Sequence, residues 1–302
     1  YTPPGIGGYE KSNSEHYQFM TTEELLNGVY CLSAYGLATK DLLWMRRRRD
    51  IAVQLLQSME NRDHHLPGQR NGILKGESLQ CGERGREITT YDALDPALKD
   101  TMGNLYIVVK TLGASLLLDA FFIQIGDHET ANRAQEMVDK TVKAFEDFFD
   151  HHGHYLKANL YSKAESKVIA AIEPLAILIF LGLKVALHSY PKLMDLFRKH
   201  IVACLKVGAG IDTATGGLRL SSTSNNTWVS KVVLCEYVLR ELFQIDLKSE
   251  YPGVFQELIR WARQSAAETT ISDQIHSDTR RVVGASYYPR PITASIWVKS
   301  RL

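Results

Sequence analysis

"NLYIVVKTLGASLLLDAFF", Asn104 to Phe122, decides the fold. Apolar residues stand on every side of the helix this stretch would make, interrupted by single polar groups such as Lys110. A helix apolar all round must be enclosed by other elements. The stretch that follows, "ANRAQEMVDKTVKAFEDFFD" (131–150), behaves differently. Its apolar positions recur every three or four residues and leave a charged face, the pattern of a helix that covers the outside.

Working outward, the same alternation continues. The patterning predicts helices over residues 21–39, 41–60, 96–125, 128–150, 174–189 and 191–207. A seventh runs from an Asn225 or Asn226 cap to residue 243, and an eighth covers 253–267. Thr21 and Glu24 in "TTEELL" suit a capping box, while Pro174 and Pro191 suit first-turn positions. Strand-like alternation is scarce, and the stretch after helix eight reads as irregular. The fold class is all-α: successive helical hairpins, with the apolar odd helices inside ("PLAILIFLGLKVAL", "WVSKVVLCEYVL") and the amphipathic even ones outside.

Composition is that of a globular chain with a large core: 302 residues, 45% hydrophobic, 23% charged, net charge +1. That balance offers no footprint for nucleic acid or for an anionic membrane surface. The basic run Arg46 to Arg49 would spread around a helix and reads as a solvated outer face. Apolar "PLAILIFLGL" (174–183) falls well short of the roughly 20 residues that span a bilayer, so no membrane partner is expected. Three of the four cysteines (Cys31, Cys204, Cys235; the fourth is Cys81) lie in apolar helical stretches. Buried free thiols are expected, which points to a reducing, cytoplasmic setting. His151, His152 and His154 in "HHGH", like His64 and His65, read as loop residues, and no metal site or cofactor is expected.

Antiparallel hairpins carry the starts of all odd helices to one end. The segments there are "YEKSNSEHYQFM", "EITTYDALD", "SKVIAAIE" and "SSTSNNTW", rich in carboxylates, amides, hydroxyls and aromatic rings. Long polar loops over a helical core suit a binding site. In "EITTYDALD", Asp95 directly before Pro96 suits a helix cap. Asp92 stands one turn too early for that cap. Partly desolvated at a barrel mouth, with Thr90 and Tyr91 beside it, it could act as an acid near neutral pH. On spacing alone, cap, cation ligand and proton donor all stay open. "SSTSNNTW" (221–228) suits a sugar, its amides and hydroxyls meeting OH groups and Trp228 meeting a C–H face, and equally suits a capped turn. Glu173 either answers the dipole of the helix it precedes or supplies a second carboxylate. No G-x-S-x-G, phosphate loop or dinucleotide fingerprint is present.

The chain resembles the catalytic domain of glycoside hydrolase family 52, the retaining β-xylosidases. The matching stretches run nearly end to end: "TPPGIGGYE", "FMTTEELLN", "SMENRDHHLPGQRNG", "EITTYDALD", "NLYIVVKT", "IAAIEPL", "GGLRLSSTSNNTWVSK", and "SDQI" followed by "GASYYPRPITASIW". The resemblance implies an (α/α)6 barrel and identifies Asp92, the aspartate of "TTYD", as the general acid/base. The candidate substrate-binding set is Thr90, Tyr91, Glu173, Asn225, Asn226, Trp228 and Asp273, and the implied substrate is a xylo-oligosaccharide. The family's nucleophile is a glutamate upstream of everything matched here. About four of six hairpins are visible, so the expectation is a single catalytic domain over 1–302 that lacks its N-terminal part. Such a chain alone should be nearly inactive. Its open edge would expose apolar surface and favour a homo-oligomer. The rival is a non-catalytic carbohydrate-binding or truncated, inactive module on the same scaffold. A helical-repeat adaptor is weaker, since no fixed period is visible.

Overall fold

A computed structural model describes residues 20–76, 87–91, 94–268 and 273–283. This part of the chain is mostly helical and divides into two compact units. Unit 1 holds the described residues within 1–92, 96–148 and 159–163. Unit 2 holds those within 93–95, 149–158 and 164–302.

Unit 1 is built around α4 (Leu105–Ile125), which is buried without a break from Leu105 to Leu118. By length and composition alone α4 could cross a membrane, but here α1 (Thr21–Thr39), α2 (Leu42–Arg47), α3 (Arg49–Asp63) and α5 (His128–Phe148) pack on it. Amphipathic α5 turns Ala131, Ala134, Val138, Phe145 and Phe148 inward, as its periodicity requires. Between the two helices, Gly126 takes φ 81, a left-handed value that glycine adopts without strain, and Asp127 then accepts the Thr130 N–H at 3.2 Å.

The expected helix over 96–125 starts later. Pro96–Leu98 form one 3₁₀ turn, Gly103 takes φ 65, and α4 begins only at Leu105. Its cap is Asn104, whose Oδ1 accepts the Tyr106 N–H at 2.9 Å while its amide donates to Leu98 O at 2.9 Å. The expected helix over 41–60 is two helices divided at Arg48, so the basic run straddles a break and is exposed. At the start of α1 there is no capping box. The N-cap residue is Met20, and the Thr21 and Thr22 hydroxyls both donate to the distant carboxylate of Glu87.

In unit 2 the expected helix over 174–189 is also divided. It consists of a 3₁₀ segment, Ile169–Leu175, then α6 (Ala176–Phe180) and α7 (Lys184–His188). Pro174 lies inside the 3₁₀ segment, not at a first turn, and Gly182 at φ 77 separates α6 from α7. Next come α8 (Pro191–Cys204), α9 (Val229–Phe243), α10 (Leu247–Glu250) and α11 (Pro252–Glu268). Among the described residues the unit also holds two short antiparallel pairs. The first, β1 (Phe149–Asp150) with β2 (Tyr155–Leu156), ends the preceding helix at Phe148. The second, β3 (Asn226–Trp228) with β4 (Gln274–His276), gives a strand to the stretch that reads as irregular. The exposed histidines His151, His152 and His154 occupy the β1–β2 turn. Cys204 and Cys235 are buried free thiols, whereas Cys31 is exposed on α1, contrary to expectation. Cys81 lies outside the described residues.

Candidate active-site residues

The segment "EITTY", 87–91, is held from every side by unit 1. Fully buried Glu87 accepts the Thr22 N–H at 2.7 Å and Arg62 Nη1 at 2.8 Å. Ile88 pairs with Asp100, the Thr89 N–H donates to Lys99 O at 3.1 Å, and the Thr89 hydroxyl donates to Leu98 O at 2.6 Å. Thr90 then turns to Glu23, which receives its N–H at 2.8 Å and its hydroxyl at 2.9 Å. The buried Tyr91 ring meets Tyr106 edge to face, with ring centroids 4.7 Å apart. Asp92 itself lies outside the described residues.

Glu23 is the centre of a buried polar cluster. Besides Thr90 it accepts the Tyr106 hydroxyl at 2.8 Å and Lys110 Nζ at 3.1 Å, and Lys110 also reaches Tyr106 Oη at 2.9 Å. Burial raises the Glu23 pKa, but the Lys110 charge and the bonds from Thr90, Tyr106 and Lys110 outweigh it and leave the carboxyl below its usual value. Glu23 is therefore an anion at neutral pH. The sequence held one signal of this cluster: Lys110 sits in a helix otherwise apolar all round, and a buried lysine needs a partner.

The other carboxylate of the motif, Asp95, belongs to unit 2 and is not the cap of α4, which is Asn104. It is buried and accepts the Ser221 hydroxyl at 2.5 Å and the Thr223 hydroxyl at 2.8 Å. Asp95 thus ties down the start of the "SSTSNNTW" loop. Within that loop Asn225 and Asn226 are partly exposed and neither caps α9. The Asn225 amide is engaged at both ends, accepting from Arg219 Nη1 at 3.1 Å and donating to Asp278 at 2.7 Å. Asn226 Oδ1 accepts Gln274 Nε2 at 2.6 Å across the β3–β4 pair.

Asp273 does the capping that Asn225 or Asn226 was expected to do. Its backbone carbonyl accepts the Val229 N–H at 2.9 Å, its side chain accepts the Ser230 N–H at 2.8 Å, and the Ser230 hydroxyl also donates to it. Trp228, opposite Gln274 in the β3–β4 register, is largely buried. So Asn225, Asn226, Trp228 and Asp273 are gathered on one small β pair and its flanks. Elsewhere in unit 2, Glu173 receives Lys231 Nζ at 2.7 Å, which joins the 3₁₀ segment to the first turn of α9.

The described chain is thus mostly helical, with buried carboxylates that fasten the starts of α1 and α9. No protein-family model matches it. The chain is homologous to a β-xylosidase of Geobacillus stearothermophilus, being 32% identical over 304 residues, which is 99% of this chain and 42% of the relative. It therefore spans less than half the length of that relative. A β-xylosidase of the same organism also matches over 75 residues at 33% identity, which is 24% of this chain and 12% of that protein.

Proposed function

We propose that the protein acts as a glycoside hydrolase, releasing xylose from the non-reducing ends of β-1,4-xylo-oligosaccharides with retention of configuration. The observation that carries this reading is homology to a β-xylosidase across 99% of the chain. The mostly helical architecture is compatible with part of an (α/α)6 toroid, to which all 302 residues would contribute as one catalytic domain.

In this reading Asp92 is the general acid/base. Its carboxyl gives a proton to the leaving oxygen as the glycosidic C–O bond breaks, while a glutamate attacks C1 and forms a glycosyl-enzyme. The Asp92 carboxylate then takes a proton from the water that attacks C1 and frees the glutamate. Retention by this route needs two carboxyls about 5 Å apart. In this reading the nucleophile is the glutamate that the family resemblance puts upstream of the matched stretches; Glu173, paired with Lys231 Nζ at 2.7 Å, is not assigned that role. Asn225, Asn226 and Trp228 form the sugar-facing loop, with Asp95 and Asp273 holding it in place. Thr90 and Tyr91, which precede Asp92 in the motif, belong to the same proposed substrate-binding set.

The stereochemical test is direct. Phenyl β-xyloside, whose only sugar is the xylose transferred, is digested by the protein and followed by proton NMR. β-Xylose should appear first and mutarotate later. Immediate α-xylose would overturn the retaining mechanism, and intact substrate would favour a binding module.

A further inference from the structure

We propose that a cavity in unit 1 binds one xylose unit of a xylo-oligosaccharide, with the Tyr161 ring as its stacking face; the choice of xylose rests on the xyloside reading, the site itself does not. The cavity has a volume of about 290 Å³ and is lined by Glu87, Pro96, Asp100, Asn159, Tyr161 and Ser162, among others. That is the small end of the range for small-molecule sites, roughly 300–1,000 Å³, and suits a ligand of monosaccharide size. Tyr161 is 66% exposed, which for a lone surface tyrosine would need no explanation. Here, however, the backbone that carries it is fastened. The Leu160 N–H donates to Gly103 O at 2.9 Å, and Asn159 pairs with Asn104. The Asn159 amide donates to Met102 O at 3.0 Å, while its Oδ1 accepts the Tyr161 N–H at 2.8 Å. The ring lies against Gly103, where a Cβ would stand 2.6 Å from both Cδ2 and Cε2 of Tyr161. Gly103 therefore serves twice, through its φ of 65 and through the room it leaves for the ring. A ring held this way loses little freedom on meeting a ligand, so the gain from covering its open surface goes into affinity.

The lining selects the class of ligand. Among the described residues its charged members are Asp100 and the Arg62-paired Glu87, both acidic, which disfavours phosphates and carboxylates. Nor do three metal-ligating side chains converge anywhere among the described residues, which argues against a cation. A neutral molecule with an apolar face and several hydroxyls answers what is left. In β-xylose every ring substituent is equatorial, so a flat C–H face can lie on the tyrosine while the hydroxyls at its edge meet Asp100 and Ser162. A carboxylate has about four acceptor positions, so Asp100 can serve a ligand beside its protein partners.

The test is calorimetric binding of a sulfur-linked xylotetraose, which resists hydrolysis, to the full-length protein and to its Tyr161→Ala and Tyr161→Phe variants. Tyr161 is exposed, so both variants should fold, and their thermal midpoints check this. Alanine should weaken the binding that depends on this ring about tenfold, whereas phenylalanine, which keeps the ring, should stay within about twofold of the wild type. Identical isotherms for all three proteins, or no binding by the wild type, would overturn the site. Equal losses with alanine and phenylalanine would overturn the stacking role, since the hydroxyl and not the ring would then carry the binding. Hydrolysis of phenyl β-xyloside, measured in parallel, keeps the two readings apart. Turnover beside binding that is indifferent to Tyr161 would overturn the site and leave the xyloside reading intact. Tyr161-dependent binding by a protein that cleaves no xyloside would overturn that reading and leave the site.

Discussion

Acidification should weaken unit 2 through a single imidazole. His200 on α8 is fully buried, with the Leu156 N–H donating to its Nδ1 at 3.1 Å. That bond places the ring proton on Nε2, which faces Val168 O at 3.1 Å. Protonation would set a new N–H against that of Leu156. Burial, helped by the Lys167 charge, pushes the His200 pKa from 6.5 down to about 4. The unfolded chain takes up its proton near pH 6.5 and the folded chain near pH 4. Stability is therefore intact above the first value, falls as the pH drops between the two, and is fully lost below the second. At 1.36 kcal/mol per unit the loss is about 3 kcal/mol. Urea unfolding at about pH 7.5 and about pH 4 measures it, with His200→Asn as reference. Asparagine keeps an acceptor toward Leu156 but does not titrate. The wild type should lose about 3 kcal/mol more than the variant over this span. Parallel losses in the two proteins would refute the assignment.

Three further outcomes follow from single positions. Gly72 takes φ 84, and a Cβ there would lie 2.3 Å from Thr141 N, a backbone atom of α5, so Gly72→Ala should cost at least about 2 kcal/mol and lower the thermal midpoint by several degrees. Asp273→Ala would strip the N-terminus of α9 of its cap; the expected cost is about 1–2 kcal/mol in chemical denaturation, and an unchanged midpoint would contradict the capping role. Burial raises the Asp119 pKa, so its charged form opposes folding. Asp119→Asn should therefore raise the thermal midpoint at neutral pH, with the gain fading as acid protonates the wild-type carboxyl.

Where the sequence was legible, one strong periodic signal coincided with a local stop. Helix α1 ends where the apolar pattern ends, α5 begins just after Gly126, and α8 starts on Pro191. The misses have physical causes. Pro96 suits a first helical turn, so a helix is expected from there, but Gly103 in the left-handed region and the Asn104 side chain start it at Leu105. Likewise 174–189 reads as one buried helix, while Pro174 and Gly182 divide it. Strands β3 and β4 are three residues each, too short for alternation to register. The motif around Asp92 stood out by composition, yet the partners of its neighbours could not. Glu23 is 67 positions from Thr90, and Asp95 is 126 from Ser221, so only the folded chain brings each pair together.

The most direct measurement of the central claim is hydrolysis of phenyl β-xyloside by the full-length protein and by its Asp92→Ala variant, each rigorously purified. The account predicts turnover that falls by about 10²–10⁴-fold in the variant, and almost none from the 302 residues alone. Equal turnover by protein and variant would contradict it.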